Sequence, residues 1–264
     1  MSARIRKTFA RLKKEDRAAF IPFLMAGDPT LKKSAALMNA LAESGADIIE
    51  LGMPFSDPMA DGPVIQEAGL RALKHGAGVR ATLTLAAGFR ELHPAVPLVL
   101  MGYLNPVERY GYEKFARDAG RAGVDGVILV DLPPEESAGV DALLKAQDIA
   151  LIRLIAPTSI PSRLKLLAKG ARGYLYYVSI AGITGAAGAS TQSIASALTA
   201  IRKETHLPVA VGFGVKTPQD VQALARIADG VIVGSALVKK IAATNGDAKK
   251  VAAFARALAK ATSR

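Results

Sequence analysis

Three segments of this 264-residue chain combine residue types that could do chemistry. The first is Asp47-Ile-Ile-Glu50-Leu-Gly, a strand-like run in which alternation puts Ile48 and Glu50 on one face and Asp47, Ile49 and Leu51 on the other. If Ile48 faces an apolar interior, Glu50 does too. A carboxyl among apolar side chains has the raised pKa that a proton shuttle needs. The competing reading is a carboxylate salt-bridged to a neighbouring strand, with Arg153 as the main candidate. The second segment is the long loop Met53-Pro-Phe-Ser-Asp57-Pro-Met-Ala-Asp61-Gly-Pro63, which brings two more carboxylates back toward Glu50. Carboxylates in different environments can divide acid and base roles. Alternatively each Asp caps a turn or helix, as Asp-Pro and Asp-Gly-Pro favour.

The third is a set of late glycine-rich loops: Ser179-Ile-Ala-Gly-Ile-Thr-Gly-Ala-Ala-Gly188, Gly212-Phe-Gly-Val215, and Gly234-Ser235 opening a short helix at Ala236–Ile241. Backbone N–H groups exposed by glycine, with the N-terminus of an extra helix, make a phosphate cradle, and Ser235 could donate its hydroxyl to it. The other reading is tight turns with an N-capping Ser235. Phe23, Met101, Leu129 and Phe213 lie near strand ends, where they could line an apolar pocket or belong to the core.

Composition narrows the chemistry further. With no cysteine there is no thiol nucleophile, disulfide framework, iron–sulfur cluster or Cys-zinc site, and the three histidines (His75, His93, His206) are scattered. The net charge of +11 raises nucleic acid as a partner. Its Lys and Arg are spread, however, without a long basic run or an aromatic-rich stripe, so a solvated surface is the better reading. No stretch approaches the ~18 apolar residues of a membrane span. Residues 1–27 imitate a secretory signal, but Glu15 and Asp16 precede the apolar run and Pro22 interrupts it. Ile5, Phe9 and Leu12 share one helical face, which predicts an amphipathic helix over residues 3–14.

Eight apolar, β-branched runs must position these groups: Ala19–Met25, Asp47–Leu51, Leu98–Met101, Gly126–Val130, Ala150–Leu154, Gly173–Val178, Val209–Val211 and Gly230–Val233. Helical patterns separate them, many opened by proline (Pro63, Pro134, Pro161, Pro218), and a final helix covers Asp247–Ala261. The step of roughly thirty residues is one βα unit. Eight such units without a linker predict an α/β fold, a single (β/α)₈ TIM barrel over residues 1–264, with its site at the C-terminal ends of the strands.

On these residues the chain resembles the tryptophan synthase alpha subunit family over nearly its whole length. The resemblance is carried by Phe23-Leu-Met-Ala-Gly-Asp-Pro29, by Glu50-Leu-Gly and the loop to Pro63, and by Asn105-Pro106. Val130-Asp-Leu-Pro133, Gly182-Ile-Thr-Gly185, Gly212-Phe-Gly214 and Gly234-Ser235 extend it. It implies retro-aldol cleavage of indole-3-glycerol phosphate to indole and glyceraldehyde 3-phosphate, without metal or cofactor. It further implies Glu50 as the general acid–base, Asp61 as the carboxylate at the indole N–H, and Tyr176 beside the reaction centre. Gly185, Gly214, Gly234 and Ser235 correspond to the phosphate cradle; Phe23, Met101, Leu129 and Phe213 correspond to the indole pocket. Thr184 corresponds to a loop closing over Asp61, and Asp57 to the loop facing a pyridoxal-phosphate beta subunit in an αββα assembly. Ile180 departs from the arginine of some well-known members. A cytoplasmic enzyme is expected. The rival readings are another phosphate-binding barrel enzyme and a non-catalytic phospholigand-binding barrel.

Overall fold

Strands and helices alternate along the chain, as the spacing predicts, in a computed structural model that describes residues 2–179, 191–212 and 214–264. The strands are β1 (Ala19–Met25), β2 (Ile49–Gly52), β3 (Leu98–Gly102), β4 (Gly126–Leu129), β5 (Ala150–Leu151), β6 (Arg153–Ile155), β7 (Leu175–Val178), β8 (Val209–Gly212) and β9 (Gly230–Val233). All pair in parallel, in the order β5-β4-β3-β2-β1-β9-β8-β7-β6. The two ends of that order are consecutive in sequence, separated only by Ile152. The sheet therefore closes into a barrel, and the expected (β/α)₈ architecture holds. One predicted strand, Ala150–Leu154, is instead two pieces. The first pairs with β4 and the second with β7, because a tilted stave in a closed barrel meets its two neighbours at different heights.

Alternation sorts the side chains into two layers. Ile21, Ile48, Val99, Ile128, Ile152, Tyr174 and Ile232 fill the barrel interior. Leu24, Leu51, Leu100, Val127 and Val231 pack between strands and helices. The helix Ala3–Lys14 does not join the outer ring. It buries Ile5, Phe9 and Leu12 in the interior cluster and so plugs the barrel at the N-terminal ends of the strands. Each such side chain, fully buried, contributes about 1.5–3 kcal/mol. The segment that mimics a signal sequence is thus part of the fold.

The same mouth is stapled by a device the sequence reading did not single out. Asp47, Asp125 and Asp229 stand just before β2, β4 and β9, and each accepts the N–H of a residue in the neighbouring strand: Phe20 (3.0 Å), Leu98 (3.0 Å) and Val209 (2.9 Å). Each also holds arginines: Arg11 and Arg17 on Asp47, Arg4 and Arg90 on Asp125, Arg202 on Asp229. Smaller departures are local. The helix expected to open at Pro134 starts at Ala138, and a helix Leu104–Tyr110 carries Asn105-Pro106. Among the described residues no helix is long and apolar enough to cross a membrane.

Candidate active site

Glu50 occupies the inner face of β2, level with Phe23 on β1 and Val99 on β3, and is wholly buried. Its salt-bridge alternative does not hold. Arg153 lies on β6 with its guanidinium donating to Ser137 Oγ at 2.7 Å, and Glu50 instead accepts a hydrogen bond from the Tyr174 hydroxyl at 2.8 Å. The second carboxyl oxygen, Oε2, has no hydrogen-bond partner among the described residues. Burial pushes the Glu50 carboxyl up to about 7, against the smaller downward pull of Tyr174. The group can therefore hold or release a proton near neutrality.

Asp61 sits half-buried at the end of the loop that follows β2. It is not the cap of the next helix: Gly62 occupies that position before Pro63–Lys74. Its carboxylate engages the Tyr103 hydroxyl, which also accepts the Ala60 N–H at 3.0 Å. Burial raises Asp61 to about 6, and the Tyr103 bond opposes that rise. Tyr103, pushed up to about 12 by burial and by Asp61, stays protonated and donates.

Tyr176 feels the charge of both carboxyls. Its buried phenol is raised well above its ordinary value, first by burial and then by the charges of Glu50 and Asp61, so it remains neutral. A close approach fixes its place, since a Cβ on Gly212 would come within 2.5 Å of its hydroxyl. Gly52 serves Phe23 in the same way, at 2.7 Å from the ring. Phe23, Met101, Val130, Tyr103 and Asp61 line one pocket at this end of the barrel.

Leu129 requires a correction. It packs in the outer layer against the helices, while Ile128 and Val130 are the β4 side chains that turn inward. The strand period of two decides this, and applying it from Val127 onward in the sequence points to the same pair. Tyr103 and Tyr174 were also missed. Tyr174 is two residues from Tyr176 and so shares its face, and Tyr103 is two residues past Met101.

After β9, the neighbour of β1, Ser235 begins the helix Ser235–Ala243 rather than capping it. Gly234 is the N-cap and makes no side-chain cap bond; Leu237 and Val238 donate to its carbonyl, while the N–H groups of Ser235 and Ala236 precede the first helical bond. Gly214 is exposed with φ +80°, a conformation that favours glycine. Asp57 is exposed on the loop after β2, its carboxylate accepting from Ser56. Thr184, Gly185, Ile180 and Phe213 lie outside the described residues. Among the described residues no cluster of His, Asp or Glu could hold a metal ion.

Comparison with known proteins places this geometry. The family model described as tryptophan synthase alpha chain matches residues 9–263. The chain is 51% identical over 239 residues to the tryptophan synthase alpha chain of Zymomonas mobilis, covering 90% of this chain and 87% of that protein. Its structure superposes on tryptophan synthase subunit alpha from Legionella pneumophila with a TM-score of 0.91, at 41% identity and 98% coverage of both chains. A chain of tryptophan synthase from M. tuberculosis, in its open form, gives a TM-score of 0.89 at 37% identity, again with 98% coverage of both. A buried glutamate with a raised carboxyl, a second raised carboxylate on the loop that follows it and a glycine N-cap after β9 thus stand on a fold shared along nearly its whole length, and the chain belongs to the tryptophan synthase alpha chain family.

Proposed function

We propose that this chain cleaves indole-3-glycerol phosphate to indole and glyceraldehyde 3-phosphate, with Glu50 as the acid–base group. The observation that carries the reading is Glu50 itself, wholly buried, raised to about 7 and with one carboxyl oxygen that has no partner among the described residues. The reading assigns the indole ring to Phe23, Met101, Val130 and Tyr103, which line one pocket, and the phosphate to Gly214, Gly234 and Ser235 together with Gly185. Asp61, ionised, accepts the indole N–H and stabilises the positive charge that develops on the ring. Glu50 starts protonated and gives its proton to indole C3. The bond from C3 to the glycerol carbon then breaks, its electron pair returns to the ring, and the hydroxyl on that carbon becomes the aldehyde. The hydroxyl proton goes to Glu50, which restores the acid.

As an alpha chain it has a beta chain as partner, and the reading extends to two copies of each with Asp57 on the facing loop. Indole would pass to the pyridoxal phosphate of the beta chain, and the alpha chain itself uses no cofactor. Purified protein given indole-3-glycerol phosphate should release indole, faster once a competent beta chain is added. No indole under either condition would overturn the assignment.

The two carboxyls set the pH dependence. Asp61 must be ionised, so kcat/KM should rise as pH passes upward through about 6. Glu50 must begin protonated, so kcat/KM should fall above about 7. A narrow bell with its maximum between these limbs is expected from steady-state rates. A flat profile from pH 5.5 to 8.5 would remove the assigned proton states.

A further inference from the structure

We infer that Phe9, on the helix that plugs the far mouth of the barrel, is a positioning residue for Glu50, acting through Tyr174. The inference rests on the reading of Glu50 as the acid–base group. A hydrogen bond from the Tyr174 hydroxyl, at 2.8 Å on Oε1, orients a carboxyl whose other oxygen has no partner among the described residues. The direction of that bond follows the tilt of the Tyr174 ring. Tyr174 is fully buried, and its ring packs on Phe9 with centroids 5.8 Å apart and planes at 56°. A ring pair of this kind prefers a defined tilt over a range of them.

The helix meets this segment at a second point. A Cβ on Gly173, whose φ is +78°, would lie 3.6 Å from Ile5 Cδ1. Ile5 and Phe9 are four residues apart, one turn along the same helix face, so one face of the plug meets both the backbone and the ring of Gly173-Tyr174. On the other side of Phe9 lies an open cavity of about 400 Å³, lined also by Leu12, Lys13, Arg17, Arg202 and His206. Phe9 thus stands between this cavity and the ring of the buried Tyr174. Among the described residues, the ionisable groups coupled to Glu50 are Tyr174 and Tyr176, and Tyr176 is coupled in turn to Asp61.

Phe9→Leu removes the ring contact and keeps an apolar wall. The Tyr174 bond favours the ionised carboxyl, so weakening it should move the Glu50 midpoint upward. The midpoint is read in substrate-free protein from the ¹³C shift of the Glu50 carboxyl. An increase of roughly half a pH unit is expected for Phe9→Leu and about one unit for Tyr174→Phe. With substrate, kcat for Phe9→Leu should fall about threefold to tenfold with KM unchanged, because the ring touches neither the indole pocket nor the phosphate cradle. In a Tyr174→Phe background, Phe9→Leu should add no further change in midpoint. Leu12→Val, on the same buried face without a ring, should lower thermal stability and leave the midpoint alone. If Phe9→Leu does not fold, Phe9→Met carries the same expectation. An unchanged midpoint, a change that persists in the Tyr174→Phe background, or an equal change in Leu12→Val would each overturn the inference. Because the titration needs no substrate, its failure is distinguishable from a failure of wild-type protein to release indole.

Discussion

Glu50→Gln should abolish indole release, with kcat down by at least about 10³-fold, while a phosphorylated substrate analogue binds within about threefold of wild type. Glutamine has the same shape, and its carbonyl still accepts the Tyr174 hydroxyl. It cannot give a proton to C3 or take one from the hydroxyl, and no other carboxyl shares the inner face of β2. The same variant should be more stable. The folded carboxyl is raised to about 7 from an ordinary 4.5 by burial. Between those values the folded chain keeps a proton that the unfolded chain has lost. Stability contributed by this group is therefore full below about 4.5, declines as pH rises, and is lost above about 7. At pH 8 wild type carries a penalty of a few kcal/mol that Gln removes, equivalent to a rise in Tm of about 2–4 °C per kcal/mol. Calorimetry at pH 8 and single-turnover indole assays together check the prediction. A variant that is both active and less stable would contradict both halves of it.

Asp125→Ala should have the largest effect on stability, about 3–5 kcal/mol, with little change in turnover per folded molecule. Asp125 is almost completely buried and accepts from Ser2 Oγ (2.6 Å), Arg4 Nη1 (3.1 Å), Arg90 Nη2 (2.7 Å) and the Leu98 N–H (3.0 Å). Arg4 is well exposed and contributes little, because solvent screens it. Arg90 is only 13% exposed; it keeps its hydrogen bonds to the Gly123, His93 and Val96 carbonyls, but without Asp125 its charge loses its counter-ion and the Leu98 N–H loses its acceptor. Asp125→Asn, which can still accept from Leu98, should fall between Ala and wild type. Urea unfolding measures all three. A loss under about 1 kcal/mol for Ala would mean that the arginines find other partners at no cost.

The barrel was legible because its signal is repeated: eight apolar runs, each followed by a helix, agree on one architecture. Glu50 was legible from period-two alternation alone, and its raised carboxyl follows from the same placement. Leu129 was misread because being near a strand end was used in place of the strand period. Tyr174 and Tyr103 escaped because a tyrosine in an apolar run reads as core, and only the fold shows which hydroxyl meets which carboxyl. The Asp–Arg staples were invisible for a related reason. Arg4 and Asp125, or Arg202 and Asp229, are far apart in sequence and become neighbours only when the staves close.

The plug helix has a consequence for how the protein is made. Residues 3–14 are synthesised before their seat, which is built from Ala19, Ala150, Ile152, Tyr174, Ala210 and Ile232 and is spread over most of the chain that follows. The barrel itself closes only when β9 reaches β1. An amphipathic helix with Ile5, Phe9 and Leu12 uncovered must therefore wait in solution for much of translation, a long-range docking step of the kind that folds slowly and exposes sticky surface. Its charged face, with Arg4, Arg6, Lys7, Arg11, Lys13 and Lys14, keeps that waiting segment soluble until the floor exists to receive it.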